Sequence, residues 1–311
     1  MKVIQIGTGG WGKNHCRVLS EFGVLTAICD MDFDRAKEFG EKYNVNYYKT
    51  TEELFEKEDF DAAFICTPTS THSKIALELI KKKKHVFVEK PMTYLSEDGE
   101  KLVEEAKRNK VVLTCGYIER FNPAVAYVKD YLKTKKFGDL IRLEFYREHR
   151  MPLHIKDVGI IYDTSVHDID TANWLFNEMP QVVFARSGKI RHEREDFTNI
   201  MLGYKNDKVA IISSNWITPK KVRKFSAVCT EAIISSDFLT QEIKVEKDED
   251  SEIIQNEKQE PLMREIQNFL DSIEDKSKQI VKANEAVNVT KIAEAALLSS
   301  QKGTPIYLDL K

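Results

Sequence analysis

Two short clusters in this 311-residue chain carry side chains that can move protons. Val88-Glu89-Lys90-Pro91 closes an apolar run. Pro91 removes a backbone donor and biases Lys90 towards an extended conformation. A cis Lys90–Pro91 bond would aim the ammonium back over a cleft. A partly desolvated lysine there can donate to a substrate hydroxyl, or act as a base once its pKa falls. A surface lysine at a strand end is the equally weighted alternative. The second cluster is Asp163-Thr-Ser-Val-His167-Asp168-Ile-Asp170. Residues four apart share one helix face, so Asp163 can fix the tautomer of His167 and raise its basicity. A helix cap beside a packed histidine is the bland reading. A metal held by Asp163, His167 and Asp170 is conceivable, but no metal is expected.

These groups need elements to hold them. The first thirty residues read as strand, glycine loop, helix, strand and acid. Lys2–Ile6 is apolar, Gly7-Thr8-Gly9-Gly10-Trp11-Gly12 follows at once, and a second apolar run, Val24–Cys29, ends in Asp30. That order describes a dinucleotide-binding βαβ unit. Gly7 allows the tight turn, Gly9 the approach of a pyrophosphate, and Gly12 close packing of helix on sheet. The diphosphate meets free N–H groups and the positive end of the helix dipole. Asp30 is placed to accept from ribose hydroxyls and to repel a 2′-phosphate. This favours NAD, with Arg35 leaving NADP as the alternative. Cys66-Thr67-Pro68…His72 follows a further strand, where Thr67 and Pro68 would line the cofactor and His72 is either a contact or a structural donor.

Apolar runs without alternation continue to Cys115, interleaved with helical stretches, as in a doubly wound parallel sheet covered on both faces. This α/β domain is expected to span 1–118. Period-two stretches follow at Leu140–Glu148, Val182–Arg191, Thr198–Tyr204, Val209–Trp216 and Lys224–Ile233. They predict an α+β domain, 119–311, with a large open and mostly antiparallel sheet. Asn206-Asp207 is a candidate hairpin turn, and Glu246–Glu252 an exposed turn or edge. A helix is expected at about Thr164–Phe176. Helices are also expected in the tail, at Leu262–Ile273 and Ala283–Ser300, where they can pack back on the first domain, with a last short strand near Ile306–Leu308. An open sheet of this size calls for a covering partner.

Composition bounds the remaining classes. The chain is 42% apolar and 31% charged with a net charge of −3, which argues against a nucleic-acid partner. Lys81–Lys84 reads as a solvated helix end. No apolar run approaches the roughly eighteen residues of a membrane span, and the immediate entry into a strand leaves no room for a signal peptide. Five scattered cysteines without a CxxC pair read as reduced thiols. A cytoplasmic protein is therefore expected.

Taken together, Gly7-x-Gly9-x-x-Gly12, Thr67-Pro68…His72, Glu89-Lys90-Pro91, Gly116-Tyr117-x-x-Arg120-Phe-x-Pro123 and Asp163-x-x-x-His167 resemble the glucose–fructose oxidoreductase/inositol dehydrogenase/MocA family, over nearly the whole chain. The resemblance implies a Rossmann domain binding NAD(P) through Gly7–Gly12, Asp30, Arg35, Thr67, Pro68, His72, Glu89 and Lys90. It also implies an open C-terminal sheet that mediates oligomerisation, as a dimer or tetramer. Lys90, Asp163 and His167 match the family's catalytic lysine, aspartate and histidine. The activity implied is oxidation or reduction of a sugar or cyclitol hydroxyl carbon. Finer likeness around Gly116–Pro123 and Asp157–Asp163 is to enzymes acting at C3 of UDP-N-acetylglucosamine, although a histidine often replaces Tyr117 there. Tyr117, Arg120 and Asn122, together with His167, are the substrate candidates, with pairing to an acid the equal alternative for Arg120. A free sugar or inositol is the alternative substrate, and a related enzyme of amino-acid or tetrapyrrole metabolism a further reading. A non-catalytic nucleotide sensor is the alternative from another class, and the retained lysine and histidine argue against it.

Overall fold

The computed structural model describes residues 1–152, 155, 157–255 and 257–308. They form two compact units: Met1–Gly116 with Leu262–Val287, and Tyr117–Pro261 with the residues from Asn288 onward.

The first unit runs β1 (Val3–Ile6), α1 (Gly12–Glu21), β2 (Leu25–Cys29), α2 (Phe33–Tyr43), β3 (Asn46–Tyr48), α3 (Thr51–Lys57), β4 (Ala62–Ile65), α4 (Thr69–Lys81), β5 (His85–Val88), α5 (Ser96–Asn109) and β6 (Leu113–Cys115). Its strands are all parallel, in the order β3-β2-β1-β4-β5-β6. The order reverses between β1 and β4, which opens a crevice at their C-terminal ends where ligands of such sheets bind. Strands β1, β4 and β6 are buried throughout, as uninterrupted apolar runs require. Phe64 and Phe87 are paired across β4 and β5 and stack at 4.6 Å. Phe269 meets both edge-on, at 5.2 and 5.7 Å. Phe269 belongs to α8 (Pro261–Glu274), so this tail helix completes the core of the first unit.

The second unit begins with a 3-10 turn, Ile118–Phe121, and α6 (Pro123–Lys133), capped by the Asn122 side chain with Pro123 in its first turn. Then come β7 (Leu140–Glu148), a π-helical turn at Ile161–Ser165 and α7 (Val166–Phe176). The strands β8 (Val182–Gly188), β9 (Phe197–Gly203), β10 (Val209–Asn215), β11 (Val222–Cys229), β12 (Ile233–Asp237), β13 (Glu242–Glu246) and β14 (Ser251–Gln255) follow. After α9 (Ala283–Lys302), β15 (Ile306–Tyr307) returns to pair with β8. The nine-stranded sheet has the order β14-β13-β12-β11-β7-β10-β9-β8-β15, with β7–β10 as its parallel pair. Burial alternates along the central strands, with one face covered.

Two expected strands are shorter than their patterns suggested. The stretch Lys224–Ile233 is two strands, because the backbone turns over Thr230-Glu231 with Cys229 N–H bonded to Ala232 O. The stretch Val182–Arg191 stops at Gly188, where the Asp196 carboxylate gathers the N–H groups of Ile190, Arg191 and His192 into a tight loop. Asn206 and Asp207 take the left-handed conformations of a hairpin turn, φ 56° and 57°. The acidic Glu246–Glu252 stretch is the connection between β13 and β14.

Candidate active site

The glycine loop of the first unit is set by sterics. Gly7 has φ +85°, and a Cβ there would sit 2.4 Å from the Cys66 carbonyl oxygen. A Cβ on Gly12 would lie 2.1 Å from the Gly7 oxygen, so α1 starts against the loop only because that position is bare. Asp30 fastens the same loop: Oδ2 accepts from the Thr8 N–H and hydroxyl, both at 2.8 Å, and Oδ1 from the Asp32 N–H at 2.9 Å. Arg35 crosses nearby, its Nε 3.7 Å from Asp30 and its NH1 3.0 Å from a Cβ built on Gly9. Gly10 and Trp11 are exposed on the loop, and Trp11 directly precedes α1. A bare loop at a helix start, beside a carboxylate and a guanidinium, fits the pyrophosphate and ribose of a dinucleotide.

The loops after β4 and β5 flank this cradle. Thr67 Oγ1 and Thr71 Oγ1 are 2.7 Å apart, and Thr71 also donates to the Pro68 carbonyl. His72 is buried. Its Nδ1 lies 2.9 Å from the Pro91 oxygen and its Nε2 2.8 Å from the Thr67 oxygen, so the ring ties the two loops together behind the crevice. The Lys90–Pro91 peptide is cis. Lys90 is half-buried, and its N–H donates to Glu89 Oε2 at 3.0 Å. The other carboxylate oxygen of Glu89 lies 2.8 Å from Nε2 of His15, a fully buried residue of α1. The His15 ring is held between Phe64 and Phe87, with centroids at 5.6 and 5.4 Å. A Cβ on Gly116 would meet Glu89 Oε2 at 2.9 Å, so this carboxylate has backbone packed on it. Glu89, expected at the cofactor, thus links the nucleotide helix to the peptide of Lys90. Cys66 Sγ lies within 4.8 Å of the ligand atoms of this pair. The 2.8 Å contact suits a hydrogen bond, since two ligands of one tetrahedral zinc with bonds of about 2.0 Å would stand roughly 3.3 Å apart. Burial pushes the Cys66 thiol up, so it stays protonated. The five cysteines are free thiols.

In the second unit Asp163 lies in the π-helical turn and His167 in the first turn of α7, so the expected uniform helix is widened just where the acid sits. Both residues are half-buried. Trp216 Nε1–H donates to Thr164 Oγ1 at 3.0 Å, and Thr164 passes its own proton to Asp163 Oδ2, also at 3.0 Å. The indole leaves the hydroxyl one proton to give, and that orients Asp163. Ahead of the turn, Gly159 packs on the Glu195 carboxylate, which accepts from the Ile161 N–H at 3.4 Å. Burial pushes the Glu195 carboxyl up.

Behind the turn lies a buried ionic layer. Arg120 donates to Asp170 through Nε at 2.8 Å and NH2 at 2.6 Å. Arg147 takes Asp168 at 2.8 to 3.1 Å and Glu119 at 2.9 Å. Burial opposes the charge of Arg147, but the two carboxylates outweigh it and hold the guanidinium firmly protonated. Asn122 caps α6 and donates to the Phe238 and Glu119 oxygens. Three substrate candidates therefore occupy interior positions: Arg120, Asn122 and Tyr117 are 3%, 2% and 1% exposed. Arg120 is engaged by Asp170, which withdraws Asp170 from the conceivable metal set, and Asn122 is a helix cap. The sequence reading missed His15, Thr164, Trp216, Glu119 and Arg147. Only Arg147 left a visible signal, a charge on the buried side of an alternating strand, after Leu143 and Phe145.

A parallel sheet in this order, with its glycine loop, acid and lysine at the strand ends, defines an NAD-binding oxidoreductase of the Rossmann type. Residues 1–117 match the oxidoreductase family with NAD-binding Rossmann fold, and residues 154–308 match that family's C-terminal alpha/beta domain. The chain belongs to the glucose–fructose oxidoreductase/inositol dehydrogenase/MocA family. It is 31% identical to a myo-inositol 2-dehydrogenase from Thermotoga maritima over 229 residues, covering 69% of this chain and 68% of that protein. It is 26% identical to a UDP-N-acetylglucosamine 3-dehydrogenase from Acidithiobacillus ferrooxidans over 245 residues, covering 79% and 76%. A crystal form of the latter superposes with a TM-score of 0.89 over 97% of this chain and 98% of its own, at 24% identity. An oxidoreductase from Agrobacterium radiobacter, solved with NAD+, L-tartaric acid and magnesium, gives 0.90 at 18% identity over 99% and 98%. These two likenesses establish the shared fold. Among the described residues, no helix is long and apolar enough to cross a membrane.

Proposed function

We propose that the protein oxidises a ring hydroxyl of a sugar, most naturally a nucleotide-linked N-acetyl sugar at C3, with NAD as acceptor. The observation that carries the reading is Lys90. It stands at the C-terminal end of β5 in the sheet that bears the glycine loop, on a peptide held by Glu89. In this reading His167 takes the hydroxyl proton. Asp163, oriented by Thr164 and Trp216, holds the imidazole for that transfer. Lys90 donates to the same oxygen and stabilises its developing charge. NAD, when bound, supplies the nicotinamide carbon that accepts the hydride. The carbinol loses one proton and one hydride and leaves as a ketone. Asp30 receives the ribose hydroxyls, and the Gly7–Gly12 loop and the start of α1 receive the diphosphate. The exposed side of the nine-stranded sheet carries Tyr146, Met201 and Ile211, and this supports assembly of copies through it.

The relatives support two substrate classes, a cyclitol and a UDP-sugar. The test is absorbance of reduced nicotinamide with NAD or NADP and a panel of UDP-N-acetylglucosamine, UDP-glucose, glucose and myo-inositol. Reduction with a UDP-sugar is the expected result. Reduction only with myo-inositol or glucose would move the substrate to a free polyol. For the assignment of roles, His167→Ala is expected to lower kcat by about 10²–10⁴-fold and Lys90→Ala by about 10²–10³-fold. His167→Ala with near wild-type turnover would refute the base.

A further inference from the structure

Strands β7 and β11 place two arginines directly opposite each other, Arg147 against Arg223. Like charges in facing positions of a sheet are destabilising unless answered. Arg147 is answered by Asp168 and Glu119. Arg223 makes no side-chain hydrogen bond or ion pair with any described residue, and its Nε is shut off from solvent. Burial, and then the charge of Arg147, lower its affinity for a proton. Lys221, exposed and just ahead of β11, feels partial burial and then both arginines in the same direction. His149 follows β7 by one residue and senses both Arg223 and Asp163. The field of Asp163 likewise reaches Arg223. A guanidinium with no bonded partner therefore lies within the electrostatic reach of Asp163, the residue read above as orienting His167. Arg223 is half-buried, so part of its guanidinium has lost water without gaining a partner, and a planar guanidinium grips an oxyanion through two parallel N–H bonds.

We propose that Arg223, with Lys221 beside it, is the anion-reading group of the substrate site, so that the substrate carries an oxyanion, phosphate or carboxylate. The proposal rests on reading Asp163 and His167 as the pair that acts on the hydroxyl. It separates this chain from enzymes for neutral polyols. The shared chemistry has two sources, the diphosphate of a nucleotide sugar and the carboxylate of a sugar acid.

The test is calorimetric binding to the full-length protein saturated with NAD, using UDP-N-acetylglucosamine, UDP, glucuronate, N-acetylglucosamine and myo-inositol. The variants are Arg223→Met, which keeps the stem, and Arg223→Lys, which keeps the charge. The expected result is tight binding of UDP and UDP-N-acetylglucosamine, weakened about 10- to 100-fold in Arg223→Met, as the loss of a charged hydrogen bond implies, and partly restored in Arg223→Lys. NAD affinity should be unchanged. Arg223-dependent binding of glucuronate but not UDP would assign the carboxylate source. The proposal is overturned if no anion binds better than its neutral counterpart, or if Arg223→Met weakens myo-inositol as much as the anions. Arg223-dependent UDP binding without turnover of any sugar would sink the dehydrogenase reading and leave the anion site standing. Myo-inositol turnover with no Arg223-dependent anion binding would do the reverse.

Discussion

Replacing His15 by phenylalanine tests whether the nucleotide helix supports Lys90. The slot between Phe64 and Phe87 is aromatic and fully buried, so a phenyl ring keeps the packing and deletes only the bond to Glu89. Breaking a buried charged pair by removing one partner costs about 3–5 kcal/mol. Here Glu89 keeps the Lys90 N–H and a side chain 10% exposed, so the loss should approach that of one charged hydrogen bond, about 2–3 kcal/mol. A freed carboxylate no longer pins the Lys90 peptide. Misplacement of a reacting group by about 1 Å lowers turnover up to roughly 10²-fold, so kcat should drop about 10- to 100-fold with little change in the KM for NAD. His15→Gln carries an amide N–H to about the same place and should recover most of both losses. Stability is read by urea unfolding, and the Lys90 peptide by hydrogen exchange of its amide, which should speed up in His15→Phe and slow again in His15→Gln. If His15→Phe is as stable as the wild type and its Lys90 amide exchanges no faster, the linkage does not exist. If the His15 and Lys90→Ala effects on kcat simply multiply, His15 acts elsewhere than through Lys90.

Two further outcomes are expected. Asp30→Ser removes the carboxylate that fastens the glycine loop and that is proposed to receive the ribose, and leaves Arg35 without that neighbouring charge. The ratio of kcat/KM for NAD over NADP should fall by about 10- to 100-fold, and an unchanged ratio would show that Asp30 does not read the ribose. Thr164→Val keeps the volume and breaks the relay from Trp216 to Asp163. It should lower kcat about tenfold, the effect of raising the activation free energy by about 1.4 kcal/mol, and shift indole fluorescence, with KM nearly constant; full turnover would mean that Asp163 is oriented by other groups.

Much of this was readable along the chain, because it depends on neighbours in sequence. The glycine spacing, the apolar runs of a doubly covered sheet and the switch to period two are local patterns, and the elements they implied formed, except that two alternating stretches were cut short by turns. Lys90 before a proline, and an acid four residues before a histidine, were legible for the same reason. Tertiary structure decided which charges meet. His15 and Glu89 are 74 residues apart, Arg120 and Asp170 50 apart, and Thr164 and Trp216 52 apart. No spacing rule connects such pairs, since each depends on the order of strands in a sheet. Arg120 read equally as a ligand contact or as the partner of an acid, and packing set it against Asp170. Arg223 carried no signal in the sequence, and only strand register set it opposite an arginine already satisfied. Sequence determined which elements form and where their chemistry-bearing residues fall, because backbone preference and hydrophobic period are local. Which of those residues are spent on one another, and which remain for a ligand, was decided only when the sheets brought distant side chains within hydrogen-bonding distance.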